Sequence, residues 1–191
     1  MHQRVLIIDH QDSFTYNLVQ LLEECGAEVL VIQDKLDQFE VCKDYTKILF
    51  SPGPGLPQDY TLMPLILKHF EHNKQILGVC LGHQAIGSYY GAELYNLKQV
   101  QHGQRTVIKV LDRDNQSLYQ GLEQPFSGGL YHSWALTLDD SVKDLMITCL
   151  SNEGVIMGIK HKKYAVEGIQ FHPESYNTPG GKKIIQNWLK I

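Results

Sequence analysis

Gln75-Ile76-Leu77-Gly78-Val79-Cys80-Leu81-Gly82-His83-Gln84 is an apolar run that breaks abruptly into small and polar residues. Gly-x-nucleophile-x-Gly is the spacing of a sharp strand-to-helix turn, in which the glycines let the chain reverse while the central side chain stands exposed. The central residue is Cys80, at a helix N-terminus whose positive dipole end favours thiolate over thiol. A single activated cysteine predicts covalent catalysis, which needs a base and donors for an oxyanion.

Outward from this turn, strand and helix patterns alternate. Arg4–Asp9 reads as a buried strand. Asp12 or Ser13 then caps a helix with apolar Phe14, Leu18, Leu21, Leu22 and Cys25, stopped by Gly26. Strands are expected over 28–32, 47–50 and 75–79, and helices over 61–71 and 82–90, with Pro64 tolerated in a first turn. This alternation implies right-handed crossovers and a largely parallel sheet covered on both faces. The C-terminal half differs. Segments 105–111, 145–150, 155–160 and 164–171 are strand-like with short connections, predicting antiparallel additions. A closing helix over 182–189 presents Ile184, Ile185, Trp188 and Leu189 to the core. With no linker or repeat in view, residues 1–191 read as one α/β domain.

Bulk properties narrow the class. With 43% hydrophobic and 20% charged residues, the chain has the composition of an ordinary globular protein. A formal net charge of -4 gives no reason to expect nucleic acid or an anionic membrane as partner. No apolar stretch is long enough to cross a bilayer, and the N-terminus lacks a signal-peptide pattern, so a cytoplasmic protein is expected. Cys25, Cys42, Cys80 and Cys149 are scattered, which argues against a metal site or disulfide framework and suits a reducing compartment. Cys25 and Cys149 read as small buried hydrophobes. Asn115-Gln116-Ser117 fits a glycosylation sequon by chance.

A free thiol titrates near 8.5, so Cys80 needs help at neutral pH. Gln170-Phe171-His172-Pro173-Glu174-Ser175 supplies it at the end of an apolar strand. Pro173 keeps His172 extended, and in an extended segment His172 and Glu174 share a face. Glu174 can then orient the imidazole while its other nitrogen addresses Cys80. Ser51-Pro52-Gly53-Pro54-Gly55 forms a stiff turn without bulky side chains. There the amides of Gly53 and Gly55, with that of Leu81, are candidate oxyanion donors, each worth roughly 3–4 kcal/mol.

These three motifs, in this order and spacing, resemble the class I, triad-type glutamine amidotransferases. The opening Asp9-His-Gln-Asp-Ser-Phe-Thr-Tyr-Asn17, with Tyr131-His-Ser133 and Met157-Gly-Ile-Lys-His161, is similar to the small amidotransferase subunits of anthranilate synthase and aminodeoxychorismate synthase. The resemblance spans essentially the whole chain and implies a flavodoxin-like, doubly wound domain. It implies that Cys80 attacks the side-chain amide of L-glutamine, that His172 activates the thiol and protonates ammonia, and that Glu174 orients His172. It places glutamine against Gly53, Gly55, Leu81, Gln84, Ser133 and Trp134. It requires no cofactor or metal, and it passes ammonia to a separate chorismate-binding synthase subunit. The chain departs from the family pattern at Gln101-His-Gly-Gln104 and at Leu130-Tyr-His-Ser-Trp134.

Simpler roles suffice elsewhere. His83 is expected to pack or cap, and His10, His102, His132 and His161 form no ligand cluster. Asp12-Ser13-Phe14-Thr15 is explained as a helix cap, although the family places it near the synthase subunit. Lys160-His161-Lys162-Lys163 reads as a solvated charged turn. Anthranilate synthesis is favoured as the destination of ammonia, with aminodeoxychorismate synthesis as the alternative. A stand-alone γ-glutamyl hydrolase and a silent flavodoxin-like regulatory module are the rival readings.

Overall fold

The computed structural model describes residues 3–112, 114 and 117–191. Asn115 and Gln116 of the sequon lie outside the described residues. The elements are β1 (Gln3–Asp9), α1 (Thr15–Glu24), β2 (Ala27–Gln33), β3 (Lys47–Phe50), α2 (Leu62–Phe70), β4 (Gln75–Val79) and α3 (Leu81–Tyr89). The second half adds β5 (Glu93–Val110), β6 (Phe126–Thr137), β7 (Leu145–Ser151), β8 (Ile156–His161), β9 (Val166–Ile169) and α4 (Gly181–Lys190). All these strands join one sheet in the order β2-β1-β3-β4-β9-β8-β7-β5-β6. The first five run parallel and every later pairing is antiparallel. The parallel part follows the flavodoxin-like doubly wound order. The expected architecture is the one observed.

Burial explains the parallel half. All four residues of β3 are buried, as strands covered on both faces require. In β1, Val5 and Ile7 pack with Leu18, Leu22 and Trp188, whereas Leu6 and Ile8 pack on the other face with Ile66, Leu67 and Ile86. Each such side chain contributes roughly 1.5–3 kcal/mol on burial. Ile184, Ile185, Trp188 and Leu189 of α4 are buried as their spacing predicts.

Three features depart from expectation. The first is the start of α1, which carries no side-chain cap from Asp12 or Ser13. Asp12 Oδ1 instead accepts the Phe14 N–H at 2.7 Å, and Asp9 Oδ1 accepts the Thr15 hydroxyl at 2.7 Å, tying the preceding turn to β1. The second is α2, whose first N–H groups at Thr61 and Leu62 are met by Asp34, 27 and 28 residues upstream. The third is β6, a strand absent from the sequence reading, which contains Gly128-Gly129. A Cβ at Gly128 would come within 2.4 Å of Ile108 Cδ1, and one at Gly129 within 2.8 Å of Ser175 Oγ. Close packing, not a turn, demands those glycines.

The register places the chemistry. Ile8 pairs with Phe50, Phe50 with Gly78, and Val79 with Ile169. The next residues of each strand, His10, Ser51, Cys80 and Gln170, therefore emerge together at the carboxyl edge of the parallel strands, where open α/β sheets bind ligands.

Candidate active site

Cys80 sits at φ +53° and ψ −102°, a conformation that L residues rarely hold without support. The support is visible. Its N–H donates to the Ile169 carbonyl at 2.9 Å, stitching the turn to β9. A Cβ at Gly78 would lie 2.3 Å from the Gly82 carbonyl carbon, and one at Gly82 would lie 2.5 Å from the Phe50 carbonyl oxygen. The two glycines thus close the turn and seat it on β3.

His172 and Glu174 share a face, as their spacing predicts. The His172 N–H donates to Gly129 O at 3.0 Å, and its carbonyl accepts the Thr178 hydroxyl at 2.6 Å, so its backbone is held on both sides. Nδ1 donates to Glu174 Oε1 at 2.7 Å. That bond leaves Nε2 as the free nitrogen; it is buried, has no well-formed hydrogen bond, and has the Cys80 sulfur beside it. Burial is the largest influence on the imidazole and disfavours its charge. The Glu174 carboxylate and the Cys80 sulfur together outweigh it, raising His172 to about 10. An imidazolium is the natural partner of a thiolate. Phe14 and Tyr131 pack their rings edge-on to His172, with centroids 5.2 and 4.8 Å away.

The Pro-Gly turn is held both by residues remote in sequence and by its own downstream neighbours. His10 Nδ1 lies 3.1 Å from both the carbonyl and the hydroxyl of Ser51, and its Nε2 lies 3.4 Å from Asp34 Oδ2. Tyr60 donates its hydroxyl to Pro54 O at 2.9 Å. Gly53 lies so close to the helix after Cys80 that a Cβ would come within 2.6 Å of Leu81 Cδ2. Gly55 takes φ +75° and abuts the Asp59 carboxylate. The turn therefore sits against Leu81, the residue after Cys80.

Gln84 reaches across from α3 to β6, donating Nε2 to the Trp134 carbonyl at 2.9 Å and to Gln170 Oε1 at 3.1 Å. Trp134 takes part through its backbone, so its side chain does not alter this bond. Ser133 lies opposite a bulge, because β5 inserts Leu97–Val100 between the pairs Asn96↔Trp134 and Gln101↔His132. Gln101 and Gln104 lie on that same exposed ribbon.

His83, His132, Cys42 and Cys149 are buried groups of the interior. Burial lowers His83 to about 3 and His132 to about 4, so both stay neutral. His161 packs flat on Tyr164 at 4.5 Å, and Lys162 and Lys163 are exposed. Lys160 and His161 are exceptions to the solvated turn: both belong to β8, His161 is buried, and Lys160 is mostly covered near Asp112 and Asp114. Burial raises Cys42 to about 11 and Cys149 to about 12. Among the described residues no group of three or more His, Cys, Asp or Glu is placed to hold a metal ion, and no helix is long and apolar enough to span a membrane. The residues that motif reading missed are His10, Asp34 and Gln170. Two of them carry a usable signal, for they are the first polar residues beyond buried parallel strands.

Residues 6–191 match the family model described as Glutamine amidotransferase class-I. Anthranilate synthase component 2 of Cyanophora paradoxa is 40% identical over 188 residues, covering 97% of each chain. Aminodeoxychorismate synthase component 2 of Klebsiella aerogenes is 38% identical over 187 residues, covering 97% of this chain and 98% of that one. A Bacillus subtilis relative named aminodeoxychorismate/anthranilate synthase component 2 is 35% identical over 190 residues, covering 97% of this chain and 95% of its own. In structure, a Thermoplasma acidophilum protein described as a subunit of GMP synthase superposes with a TM-score of 0.86 at 23% identity, over 100% of this chain and 94% of that one.

Proposed function

The chain belongs to the class I glutamine amidotransferases, and on that premise we propose that it hydrolyses L-glutamine through a γ-glutamyl thioester on Cys80 and delivers the ammonia to a separate chorismate-aminating subunit, that of anthranilate synthase. The observation that carries the chemistry is His172, with Nδ1 bound to Glu174 and Nε2 facing Cys80. In the proposed first step the Cys80 thiolate attacks the glutamine Cδ. The carbonyl electron pair moves to oxygen, where the amides of Leu81 and the Gly53–Gly55 turn receive it. Leu81 N–H lies in the first turn of α3, whose amides lack intrahelical partners. The C–N bond then breaks as the His172 imidazolium gives its proton to the leaving nitrogen, and ammonia departs. In the second step, water attacks the thioester with neutral His172 as base, releasing glutamate and Cys80.

Phe14 on the His172 ring, with exposed Tyr16 and Tyr176 nearby in sequence to Phe14 and Glu174, supports a docking role for this face toward the synthase subunit. The aminodeoxychorismate alternative is supported by the Klebsiella relative and by the double name of the Bacillus one.

The test combines trapping with product analysis. A glutamine-derived diazoketone should label the protein once, and Cys80→Ser should abolish labelling. With its native partner, Cys80→Ser should lose glutamine-dependent synthesis and retain ammonia-dependent synthesis. Labelling elsewhere, or loss of both activities in an intact complex, would overturn the reading. Identification of the chorismate product distinguishes the two synthases.

A further inference from the structure

The buried polar side chains at and near the catalytic edge include His83, Gln84, His132, Gln170 and His172. Among them is Gln170. It is completely buried, and its Nε2 has no hydrogen-bond partner. Burying an amide nitrogen unpaired is costly, so its retention calls for a reason. The other end of the same amide supplies one: Oε1 accepts a hydrogen bond from Gln84 Nε2 at 3.1 Å.

Three groups set the direction of that bond. The Trp134 carbonyl can only accept, and Gln84 faces it at 2.9 Å, so the Gln84 amide must turn its nitrogen inward. His132 Nδ1 lies 2.8 Å from the same carbonyl and must also donate, which fixes the tautomer of this neutral imidazole. One Gln84 N–H is thereby committed to Trp134, and the second needs an acceptor in the same interior. Gln170 Oε1 is that acceptor. With both N–H groups engaged, the Gln84 amide is locked and its carbonyl oxygen is the end left for a ligand.

We propose that Gln170 is a positioning residue for glutamine binding: it takes the second Gln84 N–H, so that the Gln84 carbonyl oxygen is held toward an N–H donor of the substrate. The proposal rests on the reading that glutamine binds against Gln84. Position 170 is suited to the task because the end of β9 is fixed by the Gln170 N–H donating to Met157 O at 2.9 Å. It also stands two residues before His172, so one strand end orients both the base and the substrate-binding amide.

Gln170→Leu removes the acceptor and leaves a buried Gln84 N–H unpaired, freeing the amide to rotate. Gln170→Glu keeps an acceptor oxygen and has no amide nitrogen to orphan. The experiment measures glutamine affinity by calorimetry in the Cys80→Ser background, which binds without turnover, and KM and kcat in the Cys80 form, all with the native synthase partner. Gln170→Leu should weaken glutamine binding and raise KM roughly three- to ten-fold, with kcat changing less than KM. Gln170→Glu should recover most of that affinity. Unchanged affinity in a folded Gln170→Leu protein would overturn the proposal, as would equal losses in both variants or a loss confined to kcat. If Cys80→Ser alone fails to bind glutamine, the glutaminase reading fails instead.

Discussion

The carboxyl edge of the parallel strands and the interior of the antiparallel strands each hold a buried cysteine in the same apolar cluster. Each also has a polar neighbour. Cys149 in β7 lies 3.2 Å from the Tyr119 hydroxyl and sits beside Thr148, both neutral, and burial pushes its thiol up to about 12. Cys80 faces an imidazole that a carboxylate keeps protonated, at a backbone angle that lifts the side chain out of the strand. Burial alone makes a thiol inert. The charged partner and the strained turn make the other one a candidate nucleophile.

Five experiments sharpen or break this contrast, in order of expected effect. Cys80→Ala should lower glutamine-dependent ammonia release by at least about 10³-fold, since covalent catalysis is lost. Activity surviving in that variant would remove the distinction between the two thiols. Gly78→Ala should misfold the turn or leave it nearly inactive, because its Cβ would collide with the Gly82 backbone. A soluble, fully active Gly78→Ala protein, judged by circular dichroism and turnover, would show that the elbow is not under this constraint.

Glu174→Gln should reduce kcat by about 10²–10³-fold, by loss of the charge that orients His172 and stabilises its protonated form. The same variant tests the linkage to stability. His172 is raised in the folded state, so the folded protein binds more protons than the unfolded chain between about pH 6.5 and 10. The stabilisation is fully present below about pH 6.5 and is lost as pH rises toward about 10. Urea unfolding at pH 6.5 and 9.5 should show a smaller fall for Glu174→Gln than for the unsubstituted protein. An identical fall in both would place the His172 proton under another control.

His83 and His132 act in the opposite sense. Both are lowered by burial, so the unfolded chain binds the extra protons and stability falls as pH drops from about 6.5 toward 3–4. His83→Leu should lessen the loss of stability between pH 7 and 5, which thermal melts at the two values would detect. The smallest effect on activity belongs to Cys149→Ala. It should cost about 1–2 kcal/mol of stability and leave turnover within about three-fold. A larger loss of turnover would mean that the antiparallel interior controls the site directly.

The site was legible in unequal parts. The elbow, the Pro-Gly turn and His172-Pro173-Glu174 are local patterns: each depends on neighbours within a few residues, and the backbone rules for Gly and Pro carry most of the inference. The pairing of Gln84 with Trp134 spans 50 residues and that with Gln170 spans 86, distances over which periodicity is silent. β6 was hidden for a related reason. Its Gly128-Gly129 pair imitates a break, and only the close approach of Ile108 and Ser175 reveals why a strand contains it. The first half of β5 is largely exposed and lacks the apolar alternation that marks a half-buried strand. Asp34 is similar: it serves as the cap of α2 from the end of β2, whereas cap rules look only at adjacent residues.

From the sequence came the parallel α/β core, a candidate nucleophile with its candidate base, and the family to which their order belongs. Apolar runs choose buried strands, and glycine or proline at defined spacings admits few backbone shapes. The tertiary structure alone decided which strand ends meet, which amide braces Gln84, and which buried thiol has a charged partner. Those outcomes depend on register and on distance through space. Residues far apart in the chain acquire a shared electrostatic environment only when the sheet has assembled.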